Sequence, residues 1–141
     1  MTRDSVTVET SVRAPVETVW RLLTVERDAW WPEMRFEPVV GAPLVETWTE
    51  GGLPASASGT VTRCDEPHLL GFRWREPGWR APLEVTIRIS SGALSTSVTL
   101  HESGFSRAQT PSSLPDEHEQ GWRYHLERWK QASEGRVPPA T

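Results

Sequence analysis

The feature that most restricts the fold is a run of short strand-like segments between residues 34 and 105. Glycine, proline and acidic residues interrupt the run at 41–43, 50–52, 65–67, 77–78 and 91–92. Between these breaks lie LVETWT, SGTVTRC, HLLGFRWR, LEVTIRIS and ALSTSVTLH. Consecutive strands joined by tight turns pair antiparallel, because parallel pairing needs a long crossover. The pattern therefore predicts an antiparallel sheet of about six strands in this region.

The segments before this run predict one more strand and two short helices. SVTVETSV (5–12) alternates between apolar and polar residues, which is typical of a half-buried strand. Pro15 suits the first turn of a helix, and PVETVWRLLT follows with apolar residues at helical spacing. Thr24 is predicted to cap a second short helix that ends at Trp30 and Trp31, before Pro32.

The last element is predicted to be a long amphipathic helix after an exposed loop at 106–112. One face of EHEQGWRYHLERWKQAS carries His118, Gly121, Trp122, His125, Leu126, Trp129 and Ala132. The opposite face is charged, and Gly135 with Pro138 and Pro139 is expected to end the helix. An antiparallel sheet needs one face covered. We therefore predict an α+β fold in which a curved sheet of six to seven strands surrounds this C-terminal helix.

Composition indicates a single domain over residues 1–141, with a flexible tail in the last few residues. The charged fraction is 24% and the net charge is −4, without a basic cluster, which argues against nucleic acid as a partner. No apolar run is long enough to span a membrane, and the N-terminal residues lack a secretory signal, so a cytoplasmic protein is expected. Cys64 is the single cysteine, and no metal or cofactor site is predicted.

Six segments in order carry a family resemblance over nearly the whole chain. They are APVETVW (14–20), WWPE (30–33), VVGAPLVETW (39–48), GTVTRCDEPHLLGFRW (59–74), LHESGF (100–105) and HEQGWRYHLERW (118–129). With these segments the chain resembles the START-like SRPBCC superfamily, which has the helix-grip (START/Bet v-like) fold. Within it, the chain is similar to the group homologous to the activator of a heat-shock-protein ATPase.

The resemblance implies a cavity between the concave sheet and the long helix. A protein that binds a small hydrophobic or aromatic molecule is the first expectation, as a monomer or homodimer. An enzyme of the polyketide cyclase or dehydratase type, using a pocket carboxylate, is the alternative, and a co-chaperone or interaction module is a further one. Whether any reaction is catalysed stays open, because fold does not settle function.

Glu46 is the most informative polar residue. In LVETWT, Leu44, Glu46 and Trp48 share one strand face, so the carboxylate goes inward if the apolar side chains do. A carboxylate among indoles has a raised pKa and is suited to proton transfer, unless a cation or an indole N–H holds it in a structural role. His125 on the inner helix face is either a core residue, a partner of Glu46 or a general base.

Eight tryptophans divide between core and possible pocket. Trp20 and Trp129 are expected in the core, and only one of Trp30 and Trp31 is expected to face inward. Trp79 is expected at the cavity mouth, while His118, near the helix start, is expected to be exposed. The predicted ligand-binding residues are Trp31, Leu44, Glu46, Trp48, Phe72, Trp74, Trp79, Trp122, His125 and Leu126, with Glu46 and His125 the catalytic candidates.

Overall fold

The structure, a computed structural model, describes residues 3–135 and contains one seven-stranded antiparallel sheet. The strand order is β1-β7-β6-β5-β4-β3-β2. The strands are β1 (Ser5–Val12), β2 (Met34–Phe36), β3 (Pro43–Glu50), β4 (Leu53–Asp65), β5 (Leu69–Arg75), β6 (Leu83–Ser91) and β7 (Thr96–Ser103). The predicted α+β class and the antiparallel strand run are confirmed. The expected C-terminal tail and Pro138–Pro139 lie outside the described residues.

Within residues 3–135, three α-helices accompany the sheet: α1 (Val16–Leu23), α2 (Phe105–Ala108) and α3 (Leu114–Ser133). The long helix α3 packs against β1 and α1 with Trp122, Leu126 and Trp129 buried, as the apolar stripe predicts. It ends before Gly135, whose φ of +79° is the left-handed conformation that glycine tolerates. No helix within residues 3–135 is long and apolar enough to cross a membrane.

Two local predictions differ from the structure in detail. The second short helix is present as a single 3-10 turn at Arg27–Ala29, but Thr24 does not cap it. The Thr24 hydroxyl instead donates to the carbonyl of Trp20, 2.8 Å away, at the end of α1. Residues 106–112 are not wholly an exposed loop either, because α2 occupies their first part and buries Ala108 completely.

The paired tryptophans also differ from expectation, because Trp30 and Trp31 are both buried, each 2% exposed. The backbone at Trp30 is no longer helical (φ −140°), so the angle of about 100° between neighbouring side chains on a helix does not apply. The Trp30 ring stacks on Trp129 with centroids 5.8 Å apart, and its N–H donates to the carbonyl of Leu22. Trp31 points toward His125, with ring centroids 4.4 Å apart.

Candidate functional site

Space for a site arises where small residues on β4 face large ones on β3 and β5. Leu44, Glu46 and Trp48 of β3 pair with Gly59, Ala57 and Ala55 of β4. Gly59 is required here because a Cβ at this position would lie 1.7 Å from the carbonyl oxygen of Arg73 on β5. The small side chains leave room on the inner face of the sheet, under α3.

Two adjoining pockets occupy this room. The first has a volume of about 190 Å³ and is lined by Glu46, Trp48, Ala57, Trp74, Glu76, Trp79 and His118. The second has a volume of about 120 Å³ and is lined by Glu46, Trp74, Glu117, His118, Gly121, Trp122 and His125. Glu46, Trp74 and His118 are common to both, so these three residues lie at the centre of the site.

The Glu46 carboxyl is largely buried and weakly bonded. Its side chain is 17% exposed, and its Oε2 accepts one hydrogen bond, from the indole N–H of Trp31 at 3.0 Å. Burial raises the pKa of Glu46 to about 7, although the hydrogen bond from Trp31 acts in the opposite direction. The carboxyl therefore changes charge near neutral pH, which is the range useful for proton transfer.

His125 lies beside Glu46 without a hydrogen bond to it. The distance from His125 Nε2 to Glu46 Oε2 is 4.0 Å, and the buried Nδ1 has no hydrogen-bond partner. Burial, with a smaller contribution from Arg128, lowers the pKa of His125 to about 4. The imidazole is neutral at physiological pH, so it does not balance the charge of Glu46.

A second carboxylate, Glu102 of β7, is fully buried and fully bonded. Its Oε1 accepts from His118 Nδ1 at 2.8 Å and from the indole N–H of Trp122 at 2.9 Å. Its Oε2 accepts from the indole N–H of Trp74 at 2.8 Å. These donors come from β5 and from two turns of α3, so the carboxylate joins sheet and helix, and its oxygens are satisfied in an apolar interior.

The pKa of His118 is shifted in the opposite direction from that of His125. Burial disfavours its charged form, but the hydrogen bond to Glu102 and the charges of Glu102, Glu76 and Glu46 outweigh burial and raise its pKa above 6.5. Its side chain is only 18% exposed. The expectation that His118 is exposed is therefore wrong, because its ring is hydrogen-bonded to the buried Glu102 between helix and sheet.

The structure brings six of the ten predicted ligand-binding residues to the two pockets: Glu46, Trp48, Trp74, Trp79, Trp122 and His125. Trp31 supports the site through its bond to Glu46. Phe72 and Leu126 are buried in the core, 1% and 3% exposed. Leu44 lines a different depression, a surface groove beside β2.

Sequence reasoning missed Glu102, His118 and Glu76 as site residues. For Glu102 a signal existed, because strand alternation puts it on the same face of β7 as Val98 and Leu100, which both point inward. For His118 the signal was its place on the inner face of α3 two turns before His125. Glu76 follows β5 in a turn, where side-chain direction has no simple periodicity.

The groove beside β2 has a volume of about 1150 Å³, but its chemistry is structural. Its buried cation, Arg27, donates to the carbonyls of Met34, Thr24 and Phe36 and lies 4.1 Å from the Phe36 ring centroid. The guanidinium thereby links the end of α1 to β2 and stabilises the segment that contains the 3-10 turn. Across residues 3–135, no three His, Cys, Asp or Glu side chains are grouped as ligands for a metal ion.

The curved antiparallel sheet around a C-terminal helix defines the helix-grip fold of the START-like SRPBCC superfamily. Residues 13–134 match the family described as Activator of Hsp90 ATPase homolog 1-like protein, and the chain belongs to that family. No curated protein sequence matches the chain significantly.

Solved structures share the fold. DynU16, a putative protein in the dynemicin biosynthetic locus, is 26% identical with a TM-score of 0.80 over 98% of this chain and 50% of that chain. This chain thus spans half the length of DynU16. CalU16 from Micromonospora echinospora is 23% identical, with a TM-score of 0.76 over 96% of this chain and 76% of that one. The Aha1 dimer from Colwellia psychrerythraea is 15% identical, with a TM-score of 0.75 over 94% and 97% of the two chains.

Proposed function

We propose that the protein binds a small aromatic or apolar molecule in the two adjoining pockets between the sheet and α3. The observation that carries the proposal is the meeting of indole walls with ionisable groups at one internal space: Trp74 with Glu46 and His118. Apolar walls with a few convergent polar groups are typical of small-molecule sites.

The volumes restrict the ligand to about one ring. A cavity of about 150 Å³ accommodates benzene, whereas pockets for drug-sized ligands begin at about 300 Å³. The two pockets measure about 190 and about 120 Å³. A single-ring compound therefore fits without repacking, while a lipid or a fused polycycle requires α3 to move away from the sheet.

Gly121 offers a way to test this proposal. Gly121 lines the second pocket, and a Cβ at this position would meet nothing within 4 Å, so Gly121→Leu is designed to fill that pocket. Gln120→Leu is the matched control, because residue 120 is exposed on the same helix turn. Phenol and benzyl alcohol serve as probes, and the indole N–H signals of Trp74 and Trp122 report binding by NMR.

We expect both signals to shift in saturable fashion with the wild type and with Gln120→Leu. With Gly121→Leu the Trp122 signal, which reports the second pocket alone, should remain still. Circular dichroism establishes that both variants are folded. A Trp122 shift that survives in Gly121→Leu, or shifts confined to surface residues, would contradict the proposal.

Proton-transfer catalysis is a second candidate, favoured by the raised pKa of Glu46 beside a neutral His125. In this hypothesis the ionised Glu46 removes a proton from carbon next to a carbonyl group and returns it as Glu46-COOH. Acetophenone in D₂O tests the step directly, because exchange of its methyl protons for deuterium is visible by NMR. Exchange that the protein accelerates and that Glu46→Gln abolishes would support the enzyme hypothesis. Exchange at the rate seen in buffer alone would count against it and favour binding without catalysis.

An interaction role, which the family description suggests, stays a prediction, as does the choice between monomer and homodimer. Both concern the outer surface, whereas the buried polar groups of the site converge inward. Sedimentation analysis determines the oligomeric state. Measurement of chaperone ATPase turnover with and without the protein tests the interaction role, and unchanged turnover would count against it.

A further inference from the structure

The first pocket has a distinctive composition. Three of its lining residues are tryptophans, Trp48, Trp74 and Trp79, and two are glutamates, Glu46 and Glu76. Indole faces carry negative electrostatic potential and attract cations. A wall of indoles with carboxylates is therefore better suited to positive charge than to a neutral or anionic group.

The cation nearest to these carboxylates is already engaged. His118 also lines the pocket, and its Nδ1 is hydrogen-bonded to Glu102. His125, at 4.0 Å from Glu46, is the neutral neighbour described above. Arg75 lies close by in sequence, but its guanidinium donates to the carbonyl of Trp79. Among residues 3–135, no lysine or arginine forms an ion pair with Glu46 or Glu76.

The pKa of both carboxyls is raised. Burial raises the pKa of Glu76 as it does that of Glu46, although the charge of His118 acts in the opposite direction on each. A neutral ligand filling the pocket would remove more water from both groups without replacing it, which is unfavourable. An anionic ligand would add repulsion, whereas a cation would satisfy both carboxylates at once.

We propose that the first pocket binds the ammonium group of a small organic amine or methylammonium compound, held against the tryptophans and paired with Glu46 and Glu76. This inference rests on the proposed function and names the chemical class of its ligand. The volume of about 190 Å³ accommodates a trimethylammonium group with a short chain.

The test compares two probes of the same shape and different charge. Choline carries the positive nitrogen, and 3,3-dimethylbutan-1-ol has carbon at that position. Both are titrated at pH 8, where Glu46 is ionised, and the indole N–H signal of Trp74 is followed by NMR. A cation–indole contact and two opposite charges correspond to choline binding about tenfold more tightly than the alcohol.

Variants assign the preference to the carboxylates. Glu76→Gln should reduce the preference for choline several-fold, and Glu84→Gln, on the exposed face of β6, should leave it unchanged. Equal or tighter binding of the alcohol, or a preference that Glu76→Gln does not alter, would overturn the inference.

The outcomes for the two proposals separate. If phenol binds and choline does not, the pocket is a ligand site for neutral rings, and the cation inference alone fails. If phenol, choline and the alcohol all fail to move the Trp74 and Trp122 signals, the proposed function fails with it.

Discussion

Two glutamate–histidine pairs lie between α3 and the sheet, and they differ in every respect that matters for chemistry. Glu102 and His118 are 2.8 Å apart, and Glu102 accepts hydrogen bonds from three N–H groups. Glu46 and His125 are 4.0 Å apart, and Glu46 accepts one hydrogen bond. His118 and His125 are about two helical turns apart on the same face of α3, so the surrounding donors, rather than the residue types, make the difference.

The difference shows how the donors around a buried carboxyl decide how many of its hydrogen bonds are satisfied. Around Glu102, N–H donors from β5 and α3 satisfy the carboxylate oxygens, and the hydrogen bond to Glu102 raises the pKa of His118. Around Glu46 there is one hydrogen-bond donor, and burial raises the pKa of Glu46 and lowers that of His125, so the neutral form of each is favoured. We call these the closed pair (Glu102–His118) and the open pair (Glu46–His125).

Breaking the closed pair should have the largest effect. Glu102→Ala leaves the indole N–H groups of Trp74 and Trp122 and the His118 ring buried without their acceptor. Removing one member of a buried, bonded charge pair costs about 3 to 5 kcal/mol of unfolding free energy. Urea denaturation measures the loss, and Glu84→Ala on the exposed face of β6 is the control, expected within about 0.5 kcal/mol of wild type. A loss as small as that of the control would show that Glu102 is dispensable.

Neutralising Glu46 of the open pair should stabilise the protein rather than destabilise it. Because the folded state raises the pKa of Glu46 from 4.5 to about 7, its contribution to stability is full below pH 4.5 and is lost as the pH rises through 7. Glu46→Gln keeps an acceptor for Trp31 and has no such dependence. Its unfolding free energy should exceed that of wild type by about 2 to 3 kcal/mol at pH 8 and by little at pH 4.5. Parallel stability curves for the two proteins between these pH values would refute this reading of Glu46.

The smallest effect concerns Gly121, which lies between the two histidines on α3. Alanine is the better helix former, and its Cβ would meet open space at this position. Gly121→Ala should therefore stabilise the protein by about 0.5 to 1 kcal/mol, observed as a higher melting temperature. Destabilisation would mean that the second pocket is occupied by groups that move into it when the chain is in solution.

The open pair was within reach of sequence reasoning, and the closed pair only in part. Strand alternation alone puts Glu46 beside Leu44 and Trp48, and helix periodicity puts His125 inward. The same alternation puts Glu102 inward on β7. Its partners, however, depend on Trp74 reaching across the intervening strand β6 and on where α3 begins over the sheet, which no local pattern encodes.

The tryptophans give the same lesson. Trp129 lies on an amphipathic stripe, so its burial follows from periodicity. Trp30 and Trp31 follow a 3-10 turn, where the chain leaves helical geometry, and their separate destinations are set by long-range contacts with Trp129 and Glu46. Fold class was therefore predictable from order and periodicity, whereas the division of indoles between core and pocket required the tertiary structure.

The most direct test of the contrast is a pH titration of both histidines in one sample, followed by the NMR shifts of their ring nitrogens. The account predicts that His118 keeps its proton above pH 6.5, with a raised pKa, whereas His125 remains neutral until the pH falls to about 4. Two histidines titrating together near 6.5 would show that the two pairs share one environment, and the distinction between a closed and an open pair would be lost.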